Sequence, residues 1–162
     1  MNKLYTQVKF CTVILFALVL VFGCKKQEIT NSSQKEASQI KSWVETMVKA
    51  NNVVDSTTSG LHYIISKVGS GANVKAGDSL TVQYTGKFLD GTVFDSSASF
   101  KYVQNAVNQR MIPGWEEGIE KLSKGGAGLF LIPSNLAYGS NGYYTIPPYT
   151  PLVFTLEVID IK

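Results

Sequence analysis

The sequence predicts an α+β fold: an antiparallel half-barrel sheet wrapped around one short helix and preceded by an amphipathic helix. Three observations point there. Apolar residues alternate with period two in several stretches after residue 58, residues 110–126 read as the one helix of that region, and a stripe of period 3.6 occupies residues 33–50. A single helix set against several strands covers its apolar face only if the sheet curls over it. The 162 residues, 44% hydrophobic and 17% charged, suit one compact domain once a targeting segment is set aside.

Such a segment opens the chain. Lys3 and Lys9 precede an uncharged apolar run from Phe10 to Phe22, followed by Gly23 and Cys24. The run is short for a bilayer span and has the length of a signal-peptide core. Ending on a small residue and a cysteine, it resembles the bacterial lipobox, whose cysteine becomes the lipid-bearing first residue of the mature chain. A plain secretory signal or an uncleaved anchor is the alternative. Residues 1–23 are thus expected to be a lipoprotein signal peptide and Cys24 the lipid attachment site, where two acyl chains acting together hold a protein stably on a membrane. Cys11 leaves with the leader, so the exported part has no disulfide framework. The expected location is the bacterial cell envelope, with the domain facing the periplasm or the exterior.

Without Lys3 and Lys9 the chain carries 13 basic residues against 12 acidic ones. That balance does not suggest a nucleic-acid partner. Residues 24–57 read as a lipid-anchored linker with an amphipathic helix. Its first part, "KKQEITNSSQKEASQ", is polar and aperiodic, as a tether is. Ser33 and Glu36 have capping-box spacing, and Ile40, Trp43, Val44, Met47 and Val48 form the stripe. The stripe packs on its own domain, forms a dimer surface or grips client proteins; packing on the domain is the commonest fate, and a monomer is expected.

"ANNVVDSTTSG" ends this helix, and the domain proper is placed at residues 58–162. Leu61, Tyr63 and Ile65 alternate in "GLHYIIS" and Leu80, Val82 and Tyr84 in "SLTVQYTGKF", and "PLVFTLEVIDIK" closes the chain with Leu152, Phe154, Leu156, Val158 and Ile159. Asp90-Gly91 is a hairpin signal. His62, the sole histidine, falls opposite Leu61 and Tyr63 and is expected to be exposed. In the helical stretch, Pro113 suits the first turn, Glu116 and Glu117 complement the positive end of the helix dipole, and Gly125 is placed to stop the helix. Trp115, Ile119 and Leu122 share one face. From the helix start Trp115 can be the floor of a hollow under the sheet; core packing is the plainer reading for a lone tryptophan.

Four segments, "VQYTGKFLDGTVFDSS" (82–97), "MIPGWEEGIEKLSKG" (111–125), "LIPSNLAYGSNG" (131–142) and "IPPYTPLVFTLEVIDIK" (146–162), resemble in order and spacing the FKBP-type peptidyl-prolyl isomerases. The resemblance covers residues 58–162. It implies a half-barrel on one short helix and an apolar pocket with Trp115 as its floor. It further implies Tyr84, Phe94, Ile112 and Tyr138 around the reacting amide, Asp95 as the pocket carboxylate, and Met111 and Phe154 as walls. Phe100 or Tyr102 is the candidate for a further aromatic wall, because "ASFKYVQNAVNQRMIPG" is longer than the usual connection. Tyr143 and Ile146 sit at the loop tip "NGYYTIPP", where several relatives carry a histidine and a proline. No arginine directly follows "FDSS" to pair with Asp95, as one does in some members. Taken singly, Tyr84 and Phe154 could be core, Phe94 a hairpin residue, Asp95 a turn cap and Tyr138 a lead into a glycine loop.

The implied activity is cis–trans isomerisation of X-Pro bonds in proline-containing peptides and unfolded exported proteins. Tyr84, Phe94, Asp95, Ile112, Trp115 and Tyr138 are the catalytic candidates, and Phe100, Tyr102, Met111, Tyr143, Ile146 and Phe154 the substrate contacts. The alternative is a non-catalytic module that binds a proline-containing loop of an envelope partner. Neither a metal nor another cofactor is expected: there is one histidine, Cys24 is the only cysteine beyond the leader, and the glycines of "SKGGAG" follow a helix instead of leading into one. Every catalytic candidate lies after residue 80, so the preceding helix is expected to add stability or spacing.

Overall fold

The computed structural model describes residues 32–108 and 110–162. The expected leader and Cys24 lie outside the described residues. The chain divides into two units, Met1–Lys35 and Glu36–Lys162. Of the first, residues 32–35 are described and are helical.

In the second unit, residues 36–49 form helix α1, which ends at Asn51 in the left-handed conformation with φ of 62°. The strands follow as β1 (Asp55–Ser56), β2 (His62–Lys67), β3 (Ser70–Asn73), β4 (Ser79–Lys87) and β5 (Val93–Val103). Helix α2 (Pro113–Ile119) comes next, then β6 (Ser123–Lys124), β7 (Ala127–Ile132) and β8 (Leu152–Ile161). Six strands make one antiparallel sheet in the order β1-β2-β7-β8-β4-β5, and β3 pairs with β6. The sheet therefore takes in Asp55–Ser56, ahead of the boundary expected at residue 58. α2 lies in its concave face, where Trp115, Ile119 and Leu122 meet Leu80, Val82, Leu152, Phe154, Leu156 and Val158 in one buried cluster.

The alternation in β4 and β8 follows the sequence pattern; β7 has none to read. Phe130, Leu131 and Ile132 are all 0% exposed because this strand is central and covered on both faces. Phe130 and Ile132 belong to the concave core, so pleating turns Leu131 to the other side. There its register partners are Val153, also buried, and His62. His62 is accordingly half-buried, against the expectation of an exposed residue. Burial lowers its pKa, and its Nδ1 is enclosed with no hydrogen-bond partner among the described residues. Ile65, expected on the inner face, is 36% exposed: opposite it stands Gly128, which has no side chain to cover it.

α2 begins as expected, with Pro113 at its start and Glu116 in the first turn. It is shorter than the helical pattern, and the Leu122 amide bonds to the Ile119 carbonyl in the turn that follows. Gly118 sets its closeness to β7, since a Cβ there would stand 2.9 Å from the Phe130 ring. The expected hairpin at Asp90-Gly91 joins β4 to β5, with the Thr92 amide donating to Asp90 Oδ1 at 2.8 Å.

Candidate active site

Two irregularities in β5 aim its side chains. Gly86 pairs with Asp95 but Lys87 with Val93, leaving Phe94 as an extra residue in a bulge. In a regular strand the neighbours Phe94 and Asp95 would face opposite sides; here both reach the same hollow. Gly86 makes the room, because a Cβ on it would lie 2.7 Å from the Phe94 ring. Further along, Tyr84 pairs with Ser97 and Val82 with Phe100, so Ala98 and Ser99 together oppose Gln83. This second bulge keeps Phe100 and Tyr102 on the concave face despite their odd spacing from Ser97.

The hollow is a cavity of about 420 Å³. Of the expected residues, Tyr84, Phe94, Asp95, Met111, Ile112, Trp115, Tyr138, Tyr143 and Phe154 line it. Trp115 is 1% exposed, and the rings of Tyr84 and Phe154 meet its indole edge-on at 5.0 and 5.4 Å. Phe94 continues the wall, edge-on to Phe154 at 5.6 Å. These are favourable aromatic geometries, so the floor is held from two sides.

Phe100, Tyr102 and Ile146, expected as substrate contacts, are not among the residues that line this cavity. Phe100 lies behind the wall, edge-on to Tyr84 at 5.8 Å and to Trp115 at 6.3 Å. Ile146 is 6% exposed and packs in the core cluster. Tyr102, 5% exposed, is taken up by the floor itself: its hydroxyl accepts the Trp115 Nε1–H at 2.8 Å and donates to Gln104 Oε1 at 3.2 Å. A buried indole N–H needs an acceptor, and Tyr102 supplies it. Gln104, 1% exposed, then donates from Nε2 to the Glu116 carbonyl and to Glu120 Oε1. No sequence pattern singled Gln104 out.

Tyr84 donates its phenol proton to Asp95 Oδ2 at 2.8 Å. Burial first, and then the bond to Asp95 and its charge, push the Tyr84 pKa far up. The Tyr138 pKa is raised by burial, then by the neighbouring Tyr143 and Asp95. Both phenols are thus protonated donors over the neutral range. Tyr138 stacks on Tyr143 at 5.0 Å with 8° between the rings. Its hydroxyl and the Ile112 amide hydrogen-bond to no described residue, which leaves two donors for a ligand's carbonyls.

Arg110 and Pro113 also line the cavity and were missed. Arg110 is the only arginine of the chain. It arrives from the far end of the long connection and not from directly after "FDSS". Its uniqueness was the one available signal.

A half-barrel closed on a short helix, with an indole at the bottom of an aromatic cavity, defines the FKBP class of protein. The family model for FKBP-type peptidyl-prolyl cis-trans isomerase matches residues 70–159, and the chain belongs to that family. Within it, the chain is similar to the FKBP-type isomerase FkpA of Aeromonas hydrophila, 38% identical over 145 residues that cover 87% of this chain and 54% of that protein. FkpA of Escherichia coli K12 is 38% identical over 122 residues, 75% of this chain and 45% of that one. The crystal structure of Escherichia coli FkpA superposes with a TM-score of 0.71 at 32% identity, covering 85% of this chain and 64% of that chain. A peptidyl-prolyl isomerase from Pseudomonas syringae pv. tomato gives 0.68 at 28% identity, over 81% and 93% of the two chains. The chain spans about half the length of the curated relatives it matches.

Proposed function

We propose that the protein catalyses cis–trans isomerisation of X-Pro bonds in unfolded exported proteins outside the cytoplasm, held to a membrane by a lipid on Cys24. One observation carries the catalytic part: the cavity is walled by aromatic rings and floored by an indole, and its polar lining is phenol, carboxylate and guanidinium. Amide resonance sets a barrier of about 18–20 kcal/mol to rotation, and nothing has to be cleaved to cross it. Twisting the bond breaks that resonance, so the lone pair returns to a pyramidal nitrogen and the carbonyl loses part of its negative charge, a less dipolar form that water solvates less well than the planar amide. A dry cavity therefore favours the twisted state over the ground state.

In this reading the proline ring sits on Trp115 between Phe94 and Phe154. The Ile112 amide and the Tyr138 hydroxyl donate to the peptide carbonyls, and Asp95, oriented by Tyr84, supplies a local field. The membrane part rests on the apolar run that ends in Gly23-Cys24.

Because no group acts as nucleophile or proton carrier, losses on substitution should be graded. In a protease-coupled assay on a proline tetrapeptide, Phe94→Ala opens the wall to water and should cost the most, about ten- to a hundredfold in kcat/KM or roughly 1.4–2.8 kcal/mol. Asp95→Ala and Tyr138→Phe should each lose less. Peptide binding with the uncatalysed rate in the unaltered protein would overturn the enzyme reading in favour of a binding module.

A further inference from the structure

Helix α1 reaches the segment that carries Tyr138 through a buried side chain, Glu36, bonded to Ser134. Glu36 is 8% exposed, and both its carboxylate oxygens are engaged by Ser134, 98 positions away. The Ser134 amide donates to Oε1 at 2.6 Å and its hydroxyl to Oε2 at 2.7 Å. In the sequence, Glu36 reads as half of a capping box; in the fold its carboxylate anchors another segment.

Ser134 is 5% exposed and opens the 3-10 turn Ser134–Leu136. While its donors point to α1, its carbonyl accepts two amides, those of Ala137 at 2.9 Å and Gly139 at 2.8 Å. These are the residues on either side of Tyr138. The rest of the segment leans on the same point, with the Tyr149 amide bonded to the Gly139 carbonyl and the Gly142 amide to the Tyr138 carbonyl. A carboxylate engaged by two donors at once is a strong and directional contact. Removing it would leave the buried Ser134 N–H and O–H without partners at the root of the segment.

We propose that Glu36 is a positioning residue for catalysis: through Ser134 it fixes the backbone that carries Tyr138, and α1 is thereby part of the catalytic apparatus and not a spacer. The proposal rests on the role given to Tyr138 above.

The test is a double-mutant cycle in the full chain, reading kcat and KM on the proline tetrapeptide together with amide hydrogen exchange. Glu36→Ala should lower kcat/KM roughly tenfold, mostly in kcat, as expected when a reacting group is misplaced by a fraction of an ångström. The amides of residues 134–139 should exchange faster while those of β4 and β8 do not. In the Tyr138→Phe background the same change should cost less than about twofold, because two alterations acting through one hydroxyl do not add. Glu36→Gln keeps an oxygen for the Ser134 amide and should recover part of the loss.

Unchanged turnover and exchange in Glu36→Ala would overturn the proposal. So would losses that add fully with Tyr138→Phe, or faster exchange spread equally over β4 and β8, which would mark lost stability alone. If Tyr138→Phe itself keeps full turnover, the role given to the phenol fails. Exchange at residues 134–139 then decides the tether separately: local acceleration with lost turnover supports it, and no acceleration overturns it. Should Glu36→Ala not fold, Ser134→Ala, which removes only the hydroxyl arm, takes its place in the cycle.

Discussion

Tyr102 and Tyr84 are both inward-facing tyrosines on paired strands, yet one serves the cavity's floor and the other its wall. The difference lies in what each hydroxyl meets. Tyr84 reaches Asp95 at the rim, while Tyr102 is enclosed with the indole N–H and Gln104. Tyr102→Phe strips the acceptor from the buried Trp115 Nε1–H, a loss of about 1–3 kcal/mol. The midpoint of urea unfolding should drop accordingly, and an unchanged midpoint would mean that the indole is not held this way. The phenols also set the pH behaviour. A donor phenol is lost only when it ionises, and the pKa values of Tyr84 and Tyr138 are raised, so the donors persist as pH rises through neutrality. His62 is outside the cavity lining, and its lowered pKa favours the neutral imidazole. A profile of kcat/KM that stays level from about pH 6 to 9 is expected, given an ordinary tyrosine value near 10. A step near neutrality would instead reveal a titrating group in the reaction.

Between elements, the governing contact is α2 against β7. Alanine is a better helix former than glycine by about 1 kcal/mol, so propensity alone would have Gly118→Ala stabilise the protein. A Cβ at that position meets the Phe130 ring at 2.9 Å; Gly118 is buried and Phe130 belongs to the core. Overpacking should win, with a net loss of about 1–3 kcal/mol by chemical denaturation. Because Trp115 stands in the same short helix, kcat/KM should fall as well. A gain in stability would show that α2 has slack against the sheet. The legibility of the elements follows their surroundings: β2, β4 and β8 alternate enough to be read, whereas β7, buried on both faces, reads as a plain apolar run. The bulges of β5 left no periodic mark, and they bring Phe94 and Asp95 together.

For the whole molecule, the open proposal is the anchor. Cys24→Ser should accumulate unprocessed precursor that takes up no labelled fatty acid, and equal labelling of the variant would end the lipid reading. The anchor and the domain also meet in one question, namely what α1 does. Its stripe residues Ile40, Trp43, Val44 and Met47 are half-buried, while Val48 is 54% exposed. The stripe pattern is silent on Glu36, whose carboxylate is bonded to Ser134.

The sequence by itself determined what depends on near neighbours along the chain. Periodicity marked three strands and the short helix, Pro113 marked the helix start, and four ordered motifs brought Tyr84, Phe94, Asp95, Trp115 and Tyr138 forward as one group. Only the tertiary structure decided which aromatic rings face the cavity and which stand behind it. It also placed Arg110 in the lining and tied Gln104 to the floor and Glu36 to the Tyr138 segment. The reason is that a buried donor must find its acceptor wherever the fold brings one, and for the Ser134 amide and hydroxyl that acceptor lies 98 residues away.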